Sequence, residues 1–249
     1  MSGHSKWATT KHRKGAQDKA RAKLFAKLIR QVEVAAREGG GDVNANATLR
    51  TMYQKARDGS VPLDTIERAI KRGTGELDGV RYEQVTYEGY GPGGVAILVE
   101  CLTANRNRTG AEMRSIFSRH GGSMAEPGAV AWQFERKGSI EVAPEVDEDT
   151  LMELATDAGA EDLEPEADGF NVTTGPGDLA AVRESLEAKG VHVRSAELTM
   201  VPTSSVLVAD EAEAKKVLRL LDAIDDHDDV QTVYSNFDIP EAVLAAYDG

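Results

Sequence analysis

The sequence predicts an α+β protein: a helical N-terminal domain followed by two small α/β domains, the last inserted into the middle one. Three observations predict it. Apolar residues recur at three- and four-residue steps between residues 16 and 72. From Val85 onward, β-branched runs alternate with helical stretches. Between residues 137 and 202 the elements come in the order βαββαβ, the split pattern of a ferredoxin-like unit. The strands and helix that complete the half-unit begun at residue 83 arrive after that block. The domain boundaries that follow are 1–79, 80–136 plus 203–249, and 137–202 for the insertion.

Residues 2–15 have no periodicity, and Gly3, Ser5, Thr9, Thr10 and Gly15 disfavour a helix, so an arm is expected. Over residues 16–37, Leu24, Phe25, Leu28, Ile29, Val32, Ala35 and Ala36 form one apolar stripe. Lys19, Lys23, Lys27 and Arg30 share another face. Gly39, Gly40 and Gly41 end the helix. A second helix is predicted over 47–57 with Asn46 as its cap. A third follows Pro62, with Asp64 and Glu67 as a capping box. Its Arg68, Lys71 and Arg72 suit the C-terminal helix dipole or, equally, a ligand.

A strand at 85–88 runs into Gly89-Tyr90-Gly91-Pro92-Gly93-Gly94 and then a strand at 95–101. A phosphate cradle would open into a helix; this glycine cluster opens into a β-branched run, so it predicts a hairpin turn. Cys101 reads as a small buried hydrophobe. Arg106 and Arg108 precede a helix expected over 110–120 with Thr109 and Glu112 as its capping box. They form an anion site or a solvated loop paired to nearby acids. Residues 129–134 read as a strand. The inserted block reads as strand 139–142, helix 150–158, strands 162–164 and 170–173, helix 178–189 and strand 192–200. Then come a strand at 205–209, a helix at 211–223 and a strand at 229–237. The acid-rich runs 144–149 and 222–229 are expected to be solvated loops, since neither has the ligand alternation and central glycine of a calcium loop.

Charge is distributed very unevenly. Residues 1–37 hold ten Lys/Arg and two acids, a formal +8 in a chain of −13. Residues 1–72 hold 16 basic and 7 acidic side chains, and residues 73–249 hold 13 and 35. One end is built to meet a polyanion. Lys6, Lys11, His12, Arg13, Lys14, Lys19, Lys23 and Lys27 are the expected phosphate contacts, with Arg106 and Arg108 as a second group. Trp7 stacks on a base or packs back on the first helix. No zinc spacing, nucleotide-binding fingerprint or nucleophile elbow is present, so no enzyme, cofactor, metal or small-molecule substrate is expected. No run of about 18 apolar residues occurs, and the N-terminus lacks the apolar stretch of a secretory signal. With one cysteine besides, the expectation is a cytoplasmic protein without a membrane partner.

The stretches GHSKWATTKHRK, KLIRQVEVAAREGGGD, IERAIKRGTGE, YEGYGPGGVAILVE, NRNRT and FSRHGGSM with GAVAWQFERKG together resemble the YebC family. That family includes a mitochondrial translational activator of cytochrome oxidase subunit I. Ala104 stands where the family commonly has aspartate, and Ser60-Val61 where it has Asn-Met. The resemblance implies a three-domain fold around a central cleft and a probable transcriptional regulator that binds promoter DNA. Its alternative implication, from the mitochondrial member and some bacterial ones, is a translation factor that meets the ribosome or its RNA. A scaffold whose basic end meets an acidic protein is the third expectation.

Overall fold

The computed structural model describes residues 17–166, 168–240, 243 and 244. Helices α1 (Gln17–Gly39), α2 (Ala47–Asp58) and α3 (Leu63–Thr74) build the first layer. Their apolar stripes meet in one core: Leu28, Val32, Ala35 and Ala36 from α1, Leu49 and Ala56 from α2, Ile66 and Ala69 from α3. α3 packs closely on α1 because Gly73 has no side chain. A Cβ there would run into the Glu33 carbonyl and lie 2.7 Å from Ala36 Cβ. Asn46 caps α2 as expected, accepting from the Leu49 N–H at 3.0 Å. Its amide also donates to the carbonyls of Ala35 and Gly40, both at 2.8 Å, and so ties the end of α1 to the start of α2.

The cap of α3 differs from the prediction. Pro62 stands at the N-cap, and its carbonyl accepts from the Thr65 and Ile66 N–H groups. Its fixed φ starts the helix just after it, which leaves Asp64 in the first turn to pair with Arg68 at 2.7 Å.

The second unit begins with β1 (Glu83–Tyr90) and β2 (Ala96–Thr103), an antiparallel hairpin closed by the expected glycine turn. α4 (Arg106–Arg119) and β3 (Ser123–Ala125) follow, and the chain then leaves for the insertion. That unit contains β4 (Phe134–Val142), α5 (Glu148–Ala158), β5 (Asp162–Glu166), β6 (Gly169–Thr174), α6 (Leu179–Ala188) and β7 (Val193–Pro202). Its strands form a sheet in the order β5-β6-β4-β7, with α5 and α6 packed against Ile140, Val142, Val172 and Ala196. The chain returns through β8 (Val206–Leu207), α7 (Glu211–Asp225), β9 (Val230–Ser235) and β10 (Phe237–Asp238). β9 pairs with β2 across the insertion, completing the sheet order β3-β1-β2-β9. β2 is buried on both faces. Ile97, Val99 and Cys101, with Val95 just before the strand, meet α4 and α7, while Ala96 and Leu98 meet Val130, Phe134 and Tyr234.

Four further expectations are corrected. Residues 129–134 are not a strand: Ala131–Gln133 is a 3-10 turn, and β4 starts at Phe134. The cause is Glu88, a buried carboxylate that accepts from the N–H groups of Gly128, Val130 and Ala131 at 2.6, 2.7 and 2.8 Å. Burial raises its pKa, but these three donors outweigh burial and hold it below the ordinary carboxylate value. The turn leaves Trp132 72% exposed. The strand expected at 205–209 shrinks to β8, which pairs with β10 and not with the main sheet. The strand expected at 229–237 is broken by buried Asn236, whose side chain accepts from the Ala96 N–H at 2.8 Å and donates to Gln133 at 3.1 Å. Finally, α4 starts at Arg106 with Asn105 as its cap, because Thr109 is used elsewhere.

Candidate nucleic-acid interface

The residues Lys23, Lys27 and Arg30 follow one another at i, i+4 and i+7, so they line one edge of α1. That edge faces protein. Lys23 Nζ lies 3.1 Å from Asp226 Oδ1, and Lys27 Nζ lies 2.8 Å from Asp225 Oδ1. Arg30 Nη1 donates to the Asp228 carbonyl at 2.6 Å and to Asp229 Oδ1 at 3.3 Å. The run expected to be a solvated loop therefore differs from that expectation: residues 222–225 end α7, and although Asp226 and Asp228 are exposed, the stretch 225–229 leading to β9 is bonded to α1. It carries four aspartates within five residues, and the return of β9 to β2 delivers them to the basic edge of α1. Partly excluded from water, such pairs are stronger than fully exposed ones.

Asp229 is the knot of this contact and is 4% exposed. Its Oδ2 accepts from Thr109 Oγ1 at 2.7 Å, Arg108 Nη2 at 2.7 Å and Thr103 Oγ1 at 3.1 Å. Burial raises its pKa, yet these donors and the Arg108 charge outweigh it and hold the carboxyl below the usual range. The Asp229 N–H donates to His227 Nδ1 at 3.1 Å, which leaves the His227 Nε2 proton to face Glu112 Oε2 at 2.7 Å. One short segment thus binds α1 on one side and α4 on the other. Beside it, burial pushes the Cys101 thiol up to about 12, so this buried sulfur stays protonated.

The candidate residues fall into distinct environments. Lys6, Trp7, Lys11, His12, Arg13 and Lys14 lie outside the described residues, as does the side chain of Lys19 in the first turns of α1. Lys23 and Lys27 are ion-paired with Asp226 and Asp225. Arg108 is bonded to Asp229, while Arg106 is exposed at the first turn of α4 and gives its carbonyl to the Tyr87 hydroxyl at 3.1 Å. Of the α3 cations, Arg72 bonds buried Glu33 at 2.9 Å, which also takes Arg37 at 3.3 Å. Two exposed arginines escape the sequence reasoning: Arg114 and Arg119, on the same helix as Arg106. Their spacing from Arg106 is the available signal. A helix that starts after Thr109 hides it, because Arg106 and Arg108 then fall on a loop.

Family models match nearly the whole chain: residues 5–76 as the TACO1/YebC protein N-terminal domain, and 82–237 as the TACO1/YebC second and third domain. The chain belongs to the TACO1/YebC family. A relative from Halothermothrix orenii, named a probable transcriptional regulatory protein, is 53% identical over 247 residues and covers 98% of each chain. Another of that name, from Acidothermus cellulolyticus, is 55% identical over 247 residues, covering 98% of this chain and 99% of its own. The crystal structure of a conserved hypothetical protein from Aquifex aeolicus superposes with a TM-score of 0.84 at 48% identity, covering 90% of this chain and 93% of that one. Among the described residues no helix is long and apolar enough to cross a membrane, and no group of His, Cys, Asp and Glu is placed to hold a metal ion.

Proposed function

We propose that this protein is a non-enzymatic, nucleic-acid-binding regulator of gene expression, in type a DNA-binding transcriptional regulator. The observation that carries the reading is the +8 formal charge of residues 1–37 in a chain of −13. A polyanion is the natural partner of such a segment, and counterion release supplies affinity with little regard to sequence. The names of the TACO1/YebC relatives point the same way. The first contacts are Lys6, Lys11, His12, Arg13 and Lys14, with Trp7 available to stack. Lys19 extends the set. Lys23 and Lys27 join it by exchanging Asp226 and Asp225 for phosphates.

A second reading, a translation factor that meets ribosomal RNA, is favoured by one geometric fact. The basic edge of α1 is closed by residues 225–229, so a straight duplex laid along it meets aspartates. A basic segment that reaches into a folded RNA avoids that repulsion. Crosslinking in living cells, with sequencing of both the DNA and the RNA recovered, separates the two. Discrete promoter peaks with little RNA support the transcriptional regulator. Reads on ribosomal RNA, lost when residues 2–15 are deleted, establish the translation factor. Neither signal above an untagged control would defeat both.

A further inference from the structure

We infer that the exposed side of α4 is a second phosphate-binding surface, carried by Arg114 and Arg119 with Arg106 at its N-terminal end, for the backbone of a nucleic acid. It rests on the nucleic-acid reading above and adds residues to it. The acidic part of the chain, residues 73–249, has 35 acids and 13 basic residues. Four of those 13, Arg106, Arg108, Arg114 and Arg119, lie on this one helix of 14 residues, beside a single acid, Glu112. Such a concentration in so acidic a background is not what solubility alone asks for.

The charges on this helix are sorted by partner. Arg108 is held by Asp229, and Glu112 faces His227. Arg106, Arg114 and Arg119 are exposed and pair with no acid among the described residues. Asn107, Ala111, Arg114 and Ser118 follow at i, i+4, i+7 and i+11, with Ser115 and Arg119 on the adjoining line. Ala111, Ser115 and Ser118 form a ridge of small side chains between the Arg114 and Arg119 guanidinium groups, so a backbone can approach closely, while exposed Arg106, on the line of Met113 and Phe117, adds charge at the N-terminal end of the helix. The helix spans about 21 Å, a length over which a nucleic-acid strand presents several phosphates. Guanidinium groups also bind phosphate oxygens in pairs, which a lysine cannot do.

The surface is held firmly. Thr109 is buried and bonded to Asp229, and Met113 and Phe117 are fully buried under β2. It also adjoins the basic segment. The 225–229 segment that α4 grips through Arg108 and Glu112 is gripped from its other side by Lys23 and Lys27 of α1. The basic edge of α1 and helix α4 thus flank the same segment.

The test is a salt titration by fluorescence anisotropy, from about 0.05 to 0.2 M, using the full chain with a labelled short DNA duplex and a labelled RNA hairpin. The variant is Arg106→Gln/Arg114→Gln/Arg119→Gln. A charge-matched control, Lys189→Gln/Arg194→Gln/Lys216→Gln, changes exposed cations elsewhere. All six positions are on the surface, and circular dichroism checks that both variants fold. The surface is supported if the α4 variant alone loses about 2 to 3 units of slope in log affinity against log salt on the duplex. A correspondingly smaller loss confined to the hairpin supports it with RNA as the source of the phosphates. An unchanged slope, or an equal loss in the control, overturns the α4 surface while wild-type binding leaves the nucleic-acid reading standing. Failure of the wild-type chain to bind either probe overturns the reading and the surface together, and directs the search to an acidic protein.

Discussion

Helices α1 and α4 are both rich in cations, yet they use them in opposite ways. On α1 the stripe Lys23, Lys27 and Arg30 is matched, cation by cation, to aspartates of the same chain. On α4 one arginine is matched and three face solvent without an acid among the described residues. The difference teaches that a run of basic residues reports charge, not availability. α1 carries the denser positive stretch, but part of it works as an internal fastener between the N-terminal helices and the segment that joins α7 to β9. Asp229, bonded to Arg30 of α1 and Arg108 of α4, is the point where the two uses meet.

The largest effect that would break this contrast is removal of that point. Asp229→Ala leaves Thr103, Thr109, Arg108 and Arg30 without their shared acceptor. Urea unfolding should show a loss of about 3 kcal/mol, the scale for removing one member of a buried charged network. The pH dependence has a definite sign. The folded carboxyl titrates below its unfolded value, so its stabilisation is complete above about pH 4 and disappears as pH falls through the folded pKa. The gap between wild type and variant should thus hold from pH 7 to about 5 and narrow in stronger acid. A gap that widens in acid would show that Asp229 is not held as the anion.

Next in size is Gly73→Ala. The added methyl meets the backbone of Glu33 and Ala36 Cβ, forcing α1 and α3 apart. About 2 kcal/mol of destabilisation is expected from overpacking. Wild-type stability in the same urea titration would mean that α1 can shift without strain, and that its register against residues 225–229 is loosely set.

Trp7→Ala comes third. If Trp7 stacks on a base, anisotropy should show a loss of at least about 1 kcal/mol in binding, or roughly fivefold. In a Trp132→Phe background, which removes the other and well-exposed tryptophan, nucleic acid should also quench the remaining emission. Unchanged affinity and emission would place Trp7 against the protein.

The smallest effect sharpens the α1 side. Asp225→Asn/Asp226→Asn removes the ion pairs of Lys23 and Lys27 with these aspartates, and affinity for either probe should rise by up to about fivefold, since partly exposed ion pairs are worth about 1 kcal/mol or less. Asp147→Asn/Asp149→Asn, in the inserted unit, is the charge-matched control and should move affinity less. Equal gains in the two variants would reduce the fastener to a general charge effect.

Much of the fold is legible in the chain's local patterns. The apolar stripe of α1, the Asn46 cap, the glycine hairpin and the βαββαβ order all express local periodicity and turn chemistry, which neighbouring residues largely decide. The departures from expectation share a cause. Thr109 has the spacing of a cap, the 129–134 stretch the composition of a strand, and residues 222–229 the charge of a solvated loop. Each is governed by a partner far along the chain: Asp229 for Thr109, Glu88 for the turn before β4, and α1 for the aspartates. The candidate site follows the same division. Its charge is plain from composition, whereas the pairing that occupies Lys23, Lys27 and Arg108 depends on residues more than 100 positions away.

The sequence by itself determined that this chain has a basic end and an acidic body, helices followed by mixed strands and helices, and the motifs of the TACO1/YebC family. The tertiary structure decided which charges remain to meet a partner. Lys27 and Asp225 are 198 residues apart in the chain, and no local pattern relates them. They meet because β9 returns to β2 after the insertion and carries residues 225–229 onto α1. Periodicity acts over a few residues, whereas charge pairing acts over a few ångströms of space, and the folded path alone converts one distance into the other.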